Sequence, residues 1–67
     1  MANSIIGNLY RHKTDGIHFA VIGESVRNGE ECYVVLCPEW QNETHIKKEA
    51  FETKSLERLI LEGRYND

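Results

Sequence analysis

Apolar and polar residues alternate on both sides of two glycine turns. Ile17, Phe19 and Val21 recur at every second position after Asp15-Gly16, and Cys32, Val34 and Leu36 do the same after Asn28-Gly29. A period of two puts such residues on one face of a strand. Asp-Gly and Asn-Gly between apolar runs favour a type I′ turn, because both of its central positions take positive φ. The pattern therefore predicts two successive hairpins that share their middle strand. With Asp15-Gly16 as turn centre, Thr14 pairs with Ile17, His12 with Phe19 and Tyr10 with Val21. With Asn28-Gly29 as centre, Arg27 pairs with Glu30, Ser25 with Cys32, Gly23 with Val34 and Val21 with Leu36. Phe19 and Val21 then lie on the inward face. The middle strand also carries Ala20 and Ile22 on its other face, opposite Cys37 and Val35, so both faces need cover. A strongly bent antiparallel meander closing into a small barrel meets that need, with Gly23 at the bend.

Beyond Cys37 the chain turns polar through Pro38, Glu39, Trp40, Gln41, Asn42 and Glu43. Thr44-His45-Ile46-Lys47 follows as a fourth strand, and Ala50 and Phe51 return to the core. Leu56, Leu59 and Ile60 then recur at helical spacing, with Thr53 or Ser55 placed to cap the start and Gly63 to stop it. This spacing predicts a short C-terminal helix over about 54–63, its apolar stripe laid on an open end or flank of the barrel. The fold class is mainly β, in a single domain over 1–67.

Gly7-Asn8-Leu9-Tyr10-Arg11-His12-Lys13, then Phe19, Val21 and Gly23, then Glu31-Cys32-Tyr33-Val34-Val35 resemble a family of short uncharacterised bacterial and phage proteins. That family opens on a Tyr-x-His-x-Lys-Gly type segment. The resemblance covers roughly residues 7 to 51 and implies an SH3-like barrel. The family's later Trp-Val-Arg-Pro segment is absent here; Thr44-His45-Ile46-Lys47-Lys48 stands near its place, and Trp40 lies in the preceding loop. In SH3-like barrels ligands commonly meet aromatics from adjoining loops. By that fold analogy Trp40, Tyr10 and Tyr33 are candidates to meet a protein partner, and the leading expectation is a non-enzymatic binding module. Length and resemblance together suit a phage or prophage accessory protein acting on a host factor.

Composition narrows this picture. The 67 residues leave room for one core, and 40% hydrophobic with 28% charged is the balance of a globular chain. Acidic residues outnumber basic ones 11 to 8, for a net charge of −3, which opposes non-specific binding to duplex DNA or an anionic membrane. A local basic set remains: Arg11, Lys13, Lys47 and Lys48 on neighbouring strands would contact RNA or single-stranded DNA, and this is the rival function. No apolar run approaches the roughly 18 residues of a membrane span. The start lacks the parts of a signal peptide, so a cytoplasmic location is expected. In a reducing compartment Cys32 and Cys37 are expected as free, packed thiols.

Candidate chemistry is sparse. His12, His18, His45, Cys32 and Cys37 are zinc-ligand types, but H-x5-H and C-x4-C are not the close pairs of zinc ribbons and fingers, so no metal or cofactor is expected. No nucleophile elbow or glycine-rich phosphate loop is present, which argues against an enzyme. Trp40 has two roles open to it. Its size relative to so small a core favours folding back as a lid, whereas its polar loop suits a binding hot spot. In solution the chain is expected as a monomer, or as a homodimer whose unclosed strand edges pair.

Overall fold

The computed structural model describes residues 5–65. Five strands form one antiparallel sheet: β1 (Asn8–His12), β2 (His18–Arg27), β3 (Glu30–Cys37), β4 (Asn42–Lys47) and β5 (Leu59–Arg64). Their order is β4-β3-β2-β1-β5, so β4 and β5 are the outer strands. A helical segment joins them: α1 (Lys48–Ala50), a π-helical turn (Phe51–Ser55) and a 3-10 turn (Leu56–Arg58). The protein is mainly β, with one short helical segment in its C-terminal third.

The β2–β3 hairpin follows its turn chemistry. Asn28 (φ 53) and Gly29 (φ 78) both adopt the left-handed conformation, as a type I′ turn demands. Arg27 faces Glu30, Ser25 faces Cys32 and Gly23 faces Val34, as the sequence predicts. The register then shifts between Val21 and Gly23, so Val21 faces Val35 rather than Leu36. This bulge kinks β2 next to the residue without a side chain, and it turns Val21 and Val35 together into the core.

The β1–β2 hairpin departs from its expected register by two residues: Tyr10 faces Phe19 and Arg11 faces His18. Asp15 does not take positive φ; its carboxylate instead accepts the Ile17 N–H at 3.1 Å, while Gly16 (φ 76) donates its N–H to the His12 carbonyl. An Asx-type turn thus replaces type I′ and lengthens the loop. A slip of two leaves every side chain on its expected face.

The largest difference lies at the C-terminus. The predicted helix over 54–63 forms earlier, over 48–58, and Leu59–Arg64 pairs with β1 as a strand. Leu56 and Leu59 do pack against the core, since a spacing of three suits a 3-10 turn as well as an α-helix. Neither Thr53 nor Ser55 caps the segment; the Thr53 hydroxyl donates back to the Glu49 carbonyl at 2.8 Å. What takes Leu59–Arg64 out of the helix is the free edge of β1, whose backbone groups need partners. Gly63 (φ 148) serves a bulge in β5 at the register shift opposite Leu9 and Tyr10, not a helix stop.

The core is a cluster of Tyr10, Val21, Tyr33, Val35 and Phe51. Phe51 sits in the π-helical turn, where the Leu56 N–H reaches back to the Phe51 carbonyl. Its ring meets Tyr10 and Tyr33 edge-on, with centroids 6.1 and 5.5 Å away. Cys32 and Cys37 are free and buried. The Tyr33 hydroxyl donates to Glu52 at 2.7 Å. Burial first, then this bond and the carboxylate's charge, push the Tyr33 phenol up to about 12 from 10.0. The folded state therefore favours the neutral phenol. That contribution is complete below pH 10 and is lost as pH rises through about 12. Alkaline thermal melts should show the midpoint falling across this window, and Tyr33→Phe should flatten the fall.

Candidate partner-binding groove

Alternation along the strands decides what faces the inner side of the sheet. Phe19 from β2, Val35 and Cys37 from β3, and Thr44 and Ile46 from β4 line a groove of about 310 Å³, with Trp40 at its rim. Phe19, Val35 and Ile46 also line an adjoining cavity of about 180 Å³ that reaches Phe51, Leu59, His12 and Arg58. The two spaces share an apolar floor. Phe19 and Ile46 are only partly buried although they pack on the core, so they serve as floor and as core margin together.

The loop between β3 and β4 sets the position of Trp40. The Trp40 N–H donates to the Cys37 carbonyl at 3.2 Å, the Gln41 N–H donates to the Pro38 carbonyl at 3.3 Å, and Gln41 holds φ 50. Gln41 is a non-glycine residue in the left-handed region, a conformation that costs about 1–2 kcal/mol unless surrounding contacts enforce it. Glu39 enforces it. One carboxylate oxygen accepts the His18 backbone N–H at 3.1 Å, the other meets the His18 ring Nδ1 at 2.5 Å, and the Cys37 thiol points at the carboxylate from 3.8 Å. This latch ties the loop to the start of β2 and leaves the next residue, Trp40, 66% exposed. The lid role expected for Trp40 is thus replaced by an open position.

The hydrogen bond from His18 holds the Glu39 carboxyl below its ordinary value. A carboxylate shifted in this direction supports the fold above its unfolded pKa, and that support fades as pH falls through the lower folded value. Trp40 is the only tryptophan, so its fluorescence reports on the loop alone. Acid titration should lower the anisotropy of Trp40 as the latch releases, and the same titration of Glu39→Gln should be flat.

The remaining sequence-derived candidates separate. Tyr10 (6% exposed) and Tyr33 (8%) belong to the core, where they clasp Phe51, and are not partner-facing aromatics. The basic set does not gather either. Arg11 lies on β1 and Lys13 just beyond it, whereas Lys47 and Lys48 end β4 and begin α1, with β2 and β3 between. Arg11 binds Glu62 at 2.8 Å, Lys47 binds Glu30 at 2.7 Å, and Lys48 lies 3.3 Å from both Glu24 and Glu31. The hydrogen bond and charge of Glu30 raise the Lys47 pKa; for Lys48 burial pulls downward, but Glu31 and Glu24 outweigh it. Exposed pairs are worth little energetically. What opposes a phosphate at Arg11, Lys47 and Lys48 is the carboxylate beside each of them. Lys13 has no ion pair among the described residues.

Neither the groove floor at Phe19 and Ile46 nor the latch is legible in the sequence. Glu39 and His18 are 21 residues apart, and no local spacing joins them. Among the described residues, no group of three or more His, Cys, Asp or Glu side chains is placed to hold a metal ion, and no helix is long and apolar enough to cross a membrane. No family model, curated protein or solved structure matches this chain.

Proposed function

We propose that this chain is a non-enzymatic binding module with an SH3-like architecture, which captures a protein partner through Trp40 and the groove beneath it. The sheet order, the kink in β2 and the helical turns ahead of β5 support the architectural reading. The observation that carries the functional reading is the position of Trp40. A large aromatic is latched outward, at 66% exposure, beside an apolar groove in a domain with few apolar residues to spare. Exposed aromatics at the rim of desolvatable pockets are where interfaces concentrate their energy. A phage or prophage protein acting on a bacterial host factor would use such a surface.

An affinity pull-down from bacterial lysate, washed at low and at high salt, tests this. A discrete protein that survives high salt supports the module. Nucleic acid kept at low salt and released at high salt, with no protein retained, would sink it and favour the basic set instead.

A further inference from the structure

The groove differs in charge along its length. At the Trp40 end its polar lining is neutral, from Thr44 and Asn42. At the other end the cavity is bordered by Arg58, whose side chain has no ion pair among the described residues. The Lys13 backbone N–H donates to the Arg58 carbonyl at 2.9 Å, which brings a second cation without an ion pair to the same corner. Four other cations are answered by neighbouring side chains. Arg11, Lys47 and Lys48 are held by carboxylates, and Arg64 donates to Asn8 at 3.1 Å. Arg27 and Lys54 also have no ion pair among the described residues, but neither lines the groove or its adjoining cavity, whereas Arg58 does.

We propose that the groove binds an extended, acidic-apolar peptide segment of a partner protein. Large apolar side chains lie against Trp40, Phe19 and Ile46, and a carboxylate meets Arg58 with Lys13 beside it. This rests on the reading of the chain as a protein-binding module and adds the chemistry of what it binds. The extended conformation follows from β4, an outer strand that supplies Thr44 and Ile46 to the groove. An outer strand has one edge with no strand beside it, and an extended segment added there would pair with β4 next to the groove. Charge complementarity at one end fixes the direction in which the segment lies.

Selection from phage-displayed short random peptides on the immobilised full chain tests the inference, followed by titration of synthetic versions against Trp40 fluorescence. The expected peptides combine large apolar residues with Asp or Glu and shift the Trp40 emission. Replacing their acids by amides, or introducing Arg58→Glu or Lys13→Glu with an unchanged melt, should weaken binding about tenfold, in keeping with a charge pair at a partly desolvated rim. Enrichment of neutral or basic peptides, or equal binding by both charge-reversed variants, would overturn it. If no peptide is enriched while lysate protein is still captured through Trp40, the module stands and the peptide chemistry fails. If selected peptides bind Trp40→Ala as well as the wild type, both fail.

Discussion

Phe51→Ala is expected to destabilise the fold by about 3–5 kcal/mol, the usual range for removing a buried phenylalanine. Phe51 is 1% exposed and touches both buried tyrosines, so its loss leaves a void bounded by rings that packing holds in place. A domain of this size has only about 3–10 kcal/mol of stability in total, from the per-residue range of globular proteins. The variant should therefore sit near the edge of folding, with a denaturant midpoint far below the wild type. Phe19→Ala is the informative comparison. The alternation of the sequence places Phe19 inward, but its ring is part of an open groove floor, so its truncation should cost clearly less than that of Phe51. Equal losses at the two positions would show that the groove is closed in solution.

Trp40→Ala should have the opposite profile. With the ring two-thirds outside the protein, the melt should stay within about 0.5 kcal/mol of the wild type, as for surface changes that touch no special feature. Partner affinity should fall by at least about 2 kcal/mol, roughly thirtyfold, as for an aromatic anchor at an interface. Calorimetric melts of the free variant, read beside its capture of the lysate partner, separate the two effects. A large drop in the melt would return Trp40 to the role of lid.

The legible parts of this fold are those set by local chemistry. Asn28-Gly29 specifies a turn, the turn specifies the pairing from Arg27↔Glu30 to Gly23↔Val34, and Gly23 marks the kink. Asp15-Gly16 resembles the same signal but works differently, because an aspartate carboxylate can bond the backbone two residues on and remove the need for positive φ. β5 was hidden because its cause is distant. Leu59, Ile60 and Leu61 fit a helix by spacing and a strand by composition, and the open edge of β1, about fifty residues earlier, decides between them. Trp40 was legible as a residue of interest but not as an exposed one. Its setting depends on the Glu39 contact to His18 across the fold, and the groove floor depends on three strands meeting. The basic set failed for a related reason: one sequence shows the cations but not which carboxylate each one meets.

Trp40 is open in the free protein, and on the proposed function its partner closes over it. Iodide quenching of Trp40 fluorescence, measured on the free chain and again after addition of the captured partner, tests it most directly. Ready quenching in the free chain and strong protection in the complex are expected. A tryptophan already shielded in the free chain, or still quenched in the complex, would contradict it.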